Sequence, residues 1–570
     1  MRYSFSMDNP TKQYLDITLE IEQVNEDSLT VQLPAWRPGR YEIANFAKNI
    51  QKFEVVGSDG QKLSYKKSTK DQWVIDATGQ SEVTINYNYY AAELNAGSTW
   101  LDESQMYVNP VNCCLYAVGR EEEQCEIILN VPYPFEVATG LVKKEPLILL
   151  ASNFQELADS PFIASGSLQH EDYEINGCKF HIWFQGEVKP NWAKVQLDFE
   201  RFTEKQIQAF GDFPVKEFHF LFQITTYRSY HGVEHLTSTV CQLGPSYDIM
   251  GDKYVDLLGV ASHELYHVWN VKNIRPKSML PYDFKGENYS ELGYVYEGVT
   301  TYMGDKFLYS SGVFDDKQYY KELGEYVERH LHNGGRFIRS VAESSQETWL
   351  DGYVLGAPNR KTSIYTEGCL FSFILDVKLK TSAGSNGGLD QVMKMLYVNF
   401  GKQEKGYTKA DYIEAANEIA GEDVSSVFSD LLENAVTYET ELDWALNEIG
   451  LELITADDKS WSKRLGLKGS YKDGKYVVAD VLMNSDADQF NLIRKDIIVA
   501  VNGIAVAGDL DKWLDYFGKG QQELGVIRNG KLGAIQIDPE FSKGYKKVTI
   551  QKQSSCSEDQ ERNFENWLNK

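Results

Sequence analysis

Five hundred and seventy residues exceed one ordinary domain and set a prior of three to four units at roughly 150 residues each. The 57 Lys and Arg against 83 Asp and Glu leave a net charge of −26. That charge opposes attraction to phosphate backbones and anionic lipid, so neither nucleic acid nor a membrane is expected as a partner.

With 42% hydrophobic and 13% aromatic residues, the composition is that of a folded chain rather than an acidic disordered one. No run reaches the roughly 18 apolar residues of a transmembrane helix, and the first residues lack the apolar stretch and cleavage site of a secretory signal. Seven cysteines show no framework spacing and no C-x-x-C pair. A reducing, cytoplasmic setting is expected, or a periplasmic or secreted one if a signal has been removed.

The first third reads as β structure. Tyr14 to Ile21 alternates apolar and polar residues, and similar runs recur at Leu29–Leu33, Glu82–Tyr89 and Glu126–Val131 between turn-rich segments such as Gly57–Gly60. A β-sandwich is expected over residues 1–188, with the Pro- and Gly-rich loop Leu33–Tyr41 as a rigid corner of it. After Phe218–Thr225, a buried-strand pattern, the period becomes helical. Val255, Leu258, Leu265, Val268 and Trp269 share one face, as do Leu292, Val295, Tyr296, Val299, Met303 and Phe307. Residues 189–440 are therefore expected to form a mostly helical domain fed by one small sheet. From 445 to 540, short strands around a helix-like stretch at Leu510–Phe517 predict a compact β-rich module. Residues 541–570 read as a polar tail with no core pattern.

The sharpest chemical signal is His263-Glu264-Leu265-Tyr266-His267. On a helix the side chains at i and i+4 lie about 6 Å apart on one face, so both imidazoles can reach one Zn²⁺ while Glu264 stands beside them as a base for water. His231-Gly232-Val233-Glu234-His235 matches the inverted H-x-x-E-H pattern, but it precedes a β-branched run and reads as a strand. There His231 and His235 would stand about 13 Å apart, too far for one ion. The third ligand is expected at Glu297, inside the apolar segment Tyr294–Thr301, with Gly298 marking a close approach to another element. Thr301 stands one turn beyond, where a carboxylate partner for a ligating histidine could sit, so some other group must orient the imidazoles.

His263 through Pro276, the segment Tyr296-Glu297-Gly298-Val299-Thr300-Thr301-Tyr302, and Ser363-Ile364-Tyr365-Thr366-Glu367-Gly368 resemble the glycyl aminopeptidase family of gluzincin metallopeptidases that carry a PDZ domain. The resemblance covers nearly the whole chain, with Leu33–Tyr41 similar to that family's amino-terminal sandwich. It implies one Zn²⁺ per chain held by His263, His267 and Glu297, with Glu264 as general base and Tyr365 as oxyanion donor. Glu367 stands where the family tends to have Lys, and Ile364 where it has an aromatic residue. Gly232 to His235 resembles the family's Gly-Leu-Glu-His segment, which implies that Glu234, with Gly232 beside it, binds the free amine of a peptide substrate. Here His231 replaces the first glycine of the family's pair and could narrow the entrance. Arg464-Leu465-Gly466-Leu467 looks like a PDZ carboxylate-binding loop, implying a peptide C-terminus as a second partner.

The expected architecture is thus multidomain α+β: an N-terminal β-sandwich, a thermolysin-like helical zinc domain and a C-terminal PDZ-like domain. The expected function is a zinc aminopeptidase acting on peptides with a free N-terminus, with a preference for Gly and then Ala implied by resemblance alone. A zinc endopeptidase and a non-catalytic PDZ scaffold are the alternatives.

Overall fold

The computed structural model describes residues 1–354 and 356–568. Alternation in Tyr14–Glu22 becomes a strand with Leu15, Ile17, Leu19 and Ile21 buried. It pairs antiparallel with Arg2–Ser6 and Glu82–Tyr90 in a seven-stranded sheet. A four-stranded sheet containing Ser28–Gln32 and Gln72–Asp76 shares its core, where Trp73 stacks on Phe53 of the larger sheet at 4.8 Å. The expected β-rich N-terminal domain is present.

Its boundary is not at residue 188. Strands Gln169–Ile175 (β1) and Cys178–Gln185 (β2) join Glu217–Ile224 (β3), Ser229–Glu234 (β4) and Ser238–Gly244 (β5) in a five-stranded sheet of order β1-β2-β3-β5-β4. Both strands therefore belong to the second domain. Alternation identifies a strand but not the sheet it completes, which long-range pairing decides.

Against this sheet pack the helices that carry the site. Tyr254–Tyr266 (α1) buries Leu257, Leu258, Val260, Ala261 and Leu265. Tyr294–Val299 is a π-helical turn that runs directly into Thr300–Ser310 (α2). Asp316–His332 (α3) and Thr366–Ala383 (α4) complete the framework. The close approach expected at Gly298 is a crossing with α4: a Cβ on Gly298 would lie 2.4 Å from the Gly368 Cα, and one on Gly368 would lie 2.7 Å from the Gly298 Cα. Only two glycines allow the backbones that close. Among the described residues no helix is long and apolar enough to cross a membrane.

The C-terminal module has its own core, including Leu465, Leu467, Ile498, Leu510, Leu514 and Leu524. It is not followed by a loose tail. Leu451–Asp457 (β6) pairs antiparallel with Lys546–Lys552 (β7), and Glu558–Leu568 (α5) returns to the helical domain. There Trp567 is fully buried and its indole N–H donates to Tyr302 Oη at 2.8 Å. Tyr302 in turn donates to Asp376, which also accepts from Lys306, both at 2.5 Å. The polar composition of 541–570 concealed this because two residues, Trp567 and Leu568, carry the burial of α5.

Candidate metal centre and active-site cleft

His263 lies in the last turn of α1 and His267 caps it. Their Nε2 atoms are 3.1 Å apart, and Glu297 Oε2 lies 3.8 Å from His263 Nε2 and 3.5 Å from His267 Nε2. Three ligands about 2.0–2.1 Å from a tetrahedral ion stand about 3.3–3.4 Å from one another, so these separations fit Zn²⁺. The structure thus brings together the expected triad. The π-helical turn re-aims Glu297 into the site, a frequent use of such turns. Against α1, Gly304 of α2 comes so near that its Cβ would sit 3.1 Å from the His263 Cα.

The group that orients His267 was not foreseen. His267 Nδ1–H donates to the Asn270 carbonyl at 2.7 Å, which leaves Nε2 as the lone-pair donor. The Asn270 side chain is itself fixed, donating to the Val295 carbonyl at 2.9 Å and to Thr300 Oγ1 at 3.1 Å. One asparagine therefore locks the histidine helix to the helix that carries Glu297. Burial opposes ionisation of Glu297, but the neighbouring His263 and His267 imidazoles outweigh it and hold the carboxyl down to about 2. The His263 imidazole is pushed down, chiefly by burial.

Glu264 is 5% exposed, and its Oε2 has no hydrogen-bond partner. Burial, reinforced by Glu234 and Glu297 against the opposing His267, pushes it up to about 8. Edge strand β4 lies beside it. A Cβ on Gly232 would stand 2.0 Å from Glu264 Oε1, so glycine here is what lets the strand approach the carboxylate. Two residues on, Glu234 is 3% exposed with an unpartnered Oε1. Ligand atoms of Glu234, Glu264 and His267 all lie within 4.8 Å of one another. Three carboxylates thus surround a space reached by two imidazoles, an arrangement that calls for bound positive charge.

Loop Leu33–Tyr41 is more than a corner of the sandwich. Gly39, at φ +77, lies so close to Glu234 that a Cβ would sit 2.4 Å from its Oε2. The loop is tied down by Ala35 N–H to the Phe284 carbonyl at 2.8 Å and by the Trp36 indole to the Asp283 carbonyl at 2.7 Å. Its Gly39 lines a cleft of about 930 Å³ together with His231, Glu234, Glu264, Thr301 and Tyr365. Burial, with Arg37 and Arg40 adding, pushes the His231 imidazole down to about 3, so it stands neutral in the wall. His235 turns away and meets Asp159 at 3.2 Å, so the two histidines do not share an ion, as expected for a strand.

Tyr365 sits at the N-cap of α4 and faces the same cleft. Burial, with Glu297 near, raises its hydroxyl well above the usual range, which keeps the proton on the oxygen. Glu367 is spent on holding this turn: Oε2 accepts from the Ser363 N–H at 2.8 Å and Oε1 lies 3.2 Å from His330 Nδ1. Leu465 and Leu467 are fully buried in the C-terminal module. Between them Gly466 caps a short helix at φ +101, with its N–H donating to the Lys463 carbonyl at 2.9 Å. None of the three lines the cleft.

Residues 2–166 match the model of the Peptidase M61 N-terminal domain, and residues 256–371 match that of M61 glycyl aminopeptidase. A crystal structure of an aminopeptidase N family protein from Idiomarina loihiensis is 27% identical, superimposes with a TM-score of 0.92, and covers 100% of this chain and 99% of that chain. An M1 zinc metallopeptidase from Deinococcus radiodurans is 12% identical at a TM-score of 0.48, covering 76% of this chain and 93% of that chain. A mutant of the M1 zinc metallopeptidase from that organism, bound to a Tyr-Ser-Ala substrate, is 11% identical with the same TM-score and coverage. No curated protein matches the chain.

Proposed function

We propose that this chain is a zinc-dependent aminopeptidase that removes a small amino-terminal residue, glycine and then alanine, from peptides. The M61 glycyl aminopeptidase match supports the substrate class. The observation that carries the reading is Glu234: a buried carboxylate with a free oxygen, next to Glu264 and backed by Gly39. Such a group accepts a substrate ammonium, and burying it without one is costly.

His263, His267 and Glu297 are the residues that hold Zn²⁺. When bound, the ion supplies the Lewis acidity that makes water a nucleophile near neutral pH, and a positive charge that favours the ionised form of Glu264. Glu264 takes the proton from the attacking water and passes it to the leaving amine, a role suited to a carboxylate whose proton affinity is raised by burial. Tyr365 keeps its proton and donates to the oxygen on which negative charge develops. Glu234 fixes the ammonium, which selects the first peptide bond. His231, where the resembling family has glycine, narrows the wall further.

The endopeptidase reading is disfavoured by Glu234, a buried carboxylate that an internal peptide bond would leave without an ammonium partner. The scaffold reading is disfavoured because the Gly466 amide, needed for a peptide carboxylate, is already bonded within the module. Hydrolysis of a glycyl peptide and of its N-acetylated twin, with and without a chelator, tests the proposal. We expect cleavage of the free peptide alone, abolished by chelation; equal cleavage of both peptides would sink it.

A further inference from the structure

Away from the cleft, three of the nine histidines gather on one face of the five-stranded sheet: His170 on β1, His181 on β2 and His219 on β3. In the antiparallel register of β1 and β2, Asp172 lies directly opposite His181, and His170 lies opposite Trp183. Opposed residues on one face hold their Cβ atoms about 4.5–5.5 Å apart, within reach of a common ion. His170 Nε2 is 2.9 Å from His181 Nδ1, and a ligand atom from each of His170, Asp172 and His181 falls within 4.8 Å of the others. Ligands at right angles about 2.1 Å from an ion stand about 3.0 Å apart.

We propose that His170, Asp172 and His181 form a second metal site, separate from the catalytic triad, which takes a divalent transition ion such as Zn²⁺, Ni²⁺ or Cu²⁺ with water completing its shell. The imidazoles are set before an ion arrives. His170 stacks on Trp183 at 3.8 Å, His181 stacks on His219 at 4.4 Å, and the Trp183 indole N–H donates to His219 Nδ1 at 3.1 Å. That last bond decides which histidines can serve. His219 accepts at Nδ1 and so carries its proton on Nε2, which removes it from the ligand set, whereas His170 and His181 face each other with nothing else between them. Asp172 is paired with Lys179 at 3.0 Å, but the two side chains are 39% and 44% exposed. A surface pair of that kind is worth at most about 1 kcal/mol, so Lys179 yields to an ion. Imidazole with carboxylate suits borderline metals rather than Ca²⁺ or Mg²⁺.

The test is equilibrium dialysis of the full-length protein against Zn²⁺, with bound metal measured by atomic emission. Wild type is expected to hold two equivalents. His170→Ala should hold one and cleave peptides as wild type does, while His263→Ala should hold one and cleave none. Cu²⁺ should quench part of the tryptophan emission through Trp183, and this quenching should be lost in His170→Ala and in the milder Asp172→Asn. One equivalent in wild type, or two in His170→Ala, overturns the site without touching the catalytic assignment.

Discussion

Glu264 and Glu234 share one buried space yet are assigned different work, and their variants should separate cleanly. Glu264→Gln keeps the shape and loses the base, so kcat should fall by about 10²–10⁴-fold with zinc content unchanged. Glu234→Ala removes a charge-assisted hydrogen bond worth about 1.5–3 kcal/mol, so kcat/KM for free glycyl peptides should fall roughly 10–100-fold. Steady-state kinetics on peptides with free and acetylated ends checks both, and a Glu234→Ala enzyme as active as wild type would remove the amine anchor. His263, Glu264 and His267 were legible in the sequence because a helix fixes their spacing locally. The Asn270 carbonyl and Gly39 were not: a backbone acceptor has no side-chain signature, and Gly39 meets Glu234 only through the packing of two domains.

At the level of elements, the site depends on how closely its helices pass. Gly298 and Gly368 bring the π-helical turn ahead of α2 into backbone contact with α4 beside Glu297. Gly298→Ala must push the helices apart, at a cost of about 1–3 kcal/mol for overpacking, and should lower both the thermal unfolding midpoint and zinc affinity. An unchanged midpoint would show that the crossing has slack. The sequence flagged Gly298 because glycine is unfavourable inside a helix, but it did not reveal the π-helical turn, since the extra residue leaves the apolar spacing of 292–308 nearly intact. It likewise singled out neither β1 nor β2, which it left inside the expected sandwich of residues 1–188.

Across the whole molecule, Asp159 joins the N-terminal domain to the second. Burial would raise its carboxyl, but Lys272 at 2.8 Å and His235 at 3.2 Å outweigh that and hold it below the usual range. A carboxyl depressed in the folded state stabilises above its unfolded value of about 3.9 and loses that contribution as pH falls. Asp159→Asn should therefore unfold at lower temperature than wild type at neutral pH, with the gap narrowing once pH falls below about 3.9 and continuing toward the depressed native value. A gap independent of pH would deny the linkage. Trp567→Ala should cost about 3–5 kcal/mol in the helical domain, although the indole lies in the stretch whose composition read as a tail. The same return of the chain makes the C-terminal module a cassette. Asp457 and Lys546 are cross-strand neighbours at the open end of the β6–β7 ribbon. Everything between them could be exchanged for a two-residue Asn-Gly turn, leaving a hairpin whose two legs already exist, and the shortened loop would lower the entropy lost on closing the chain.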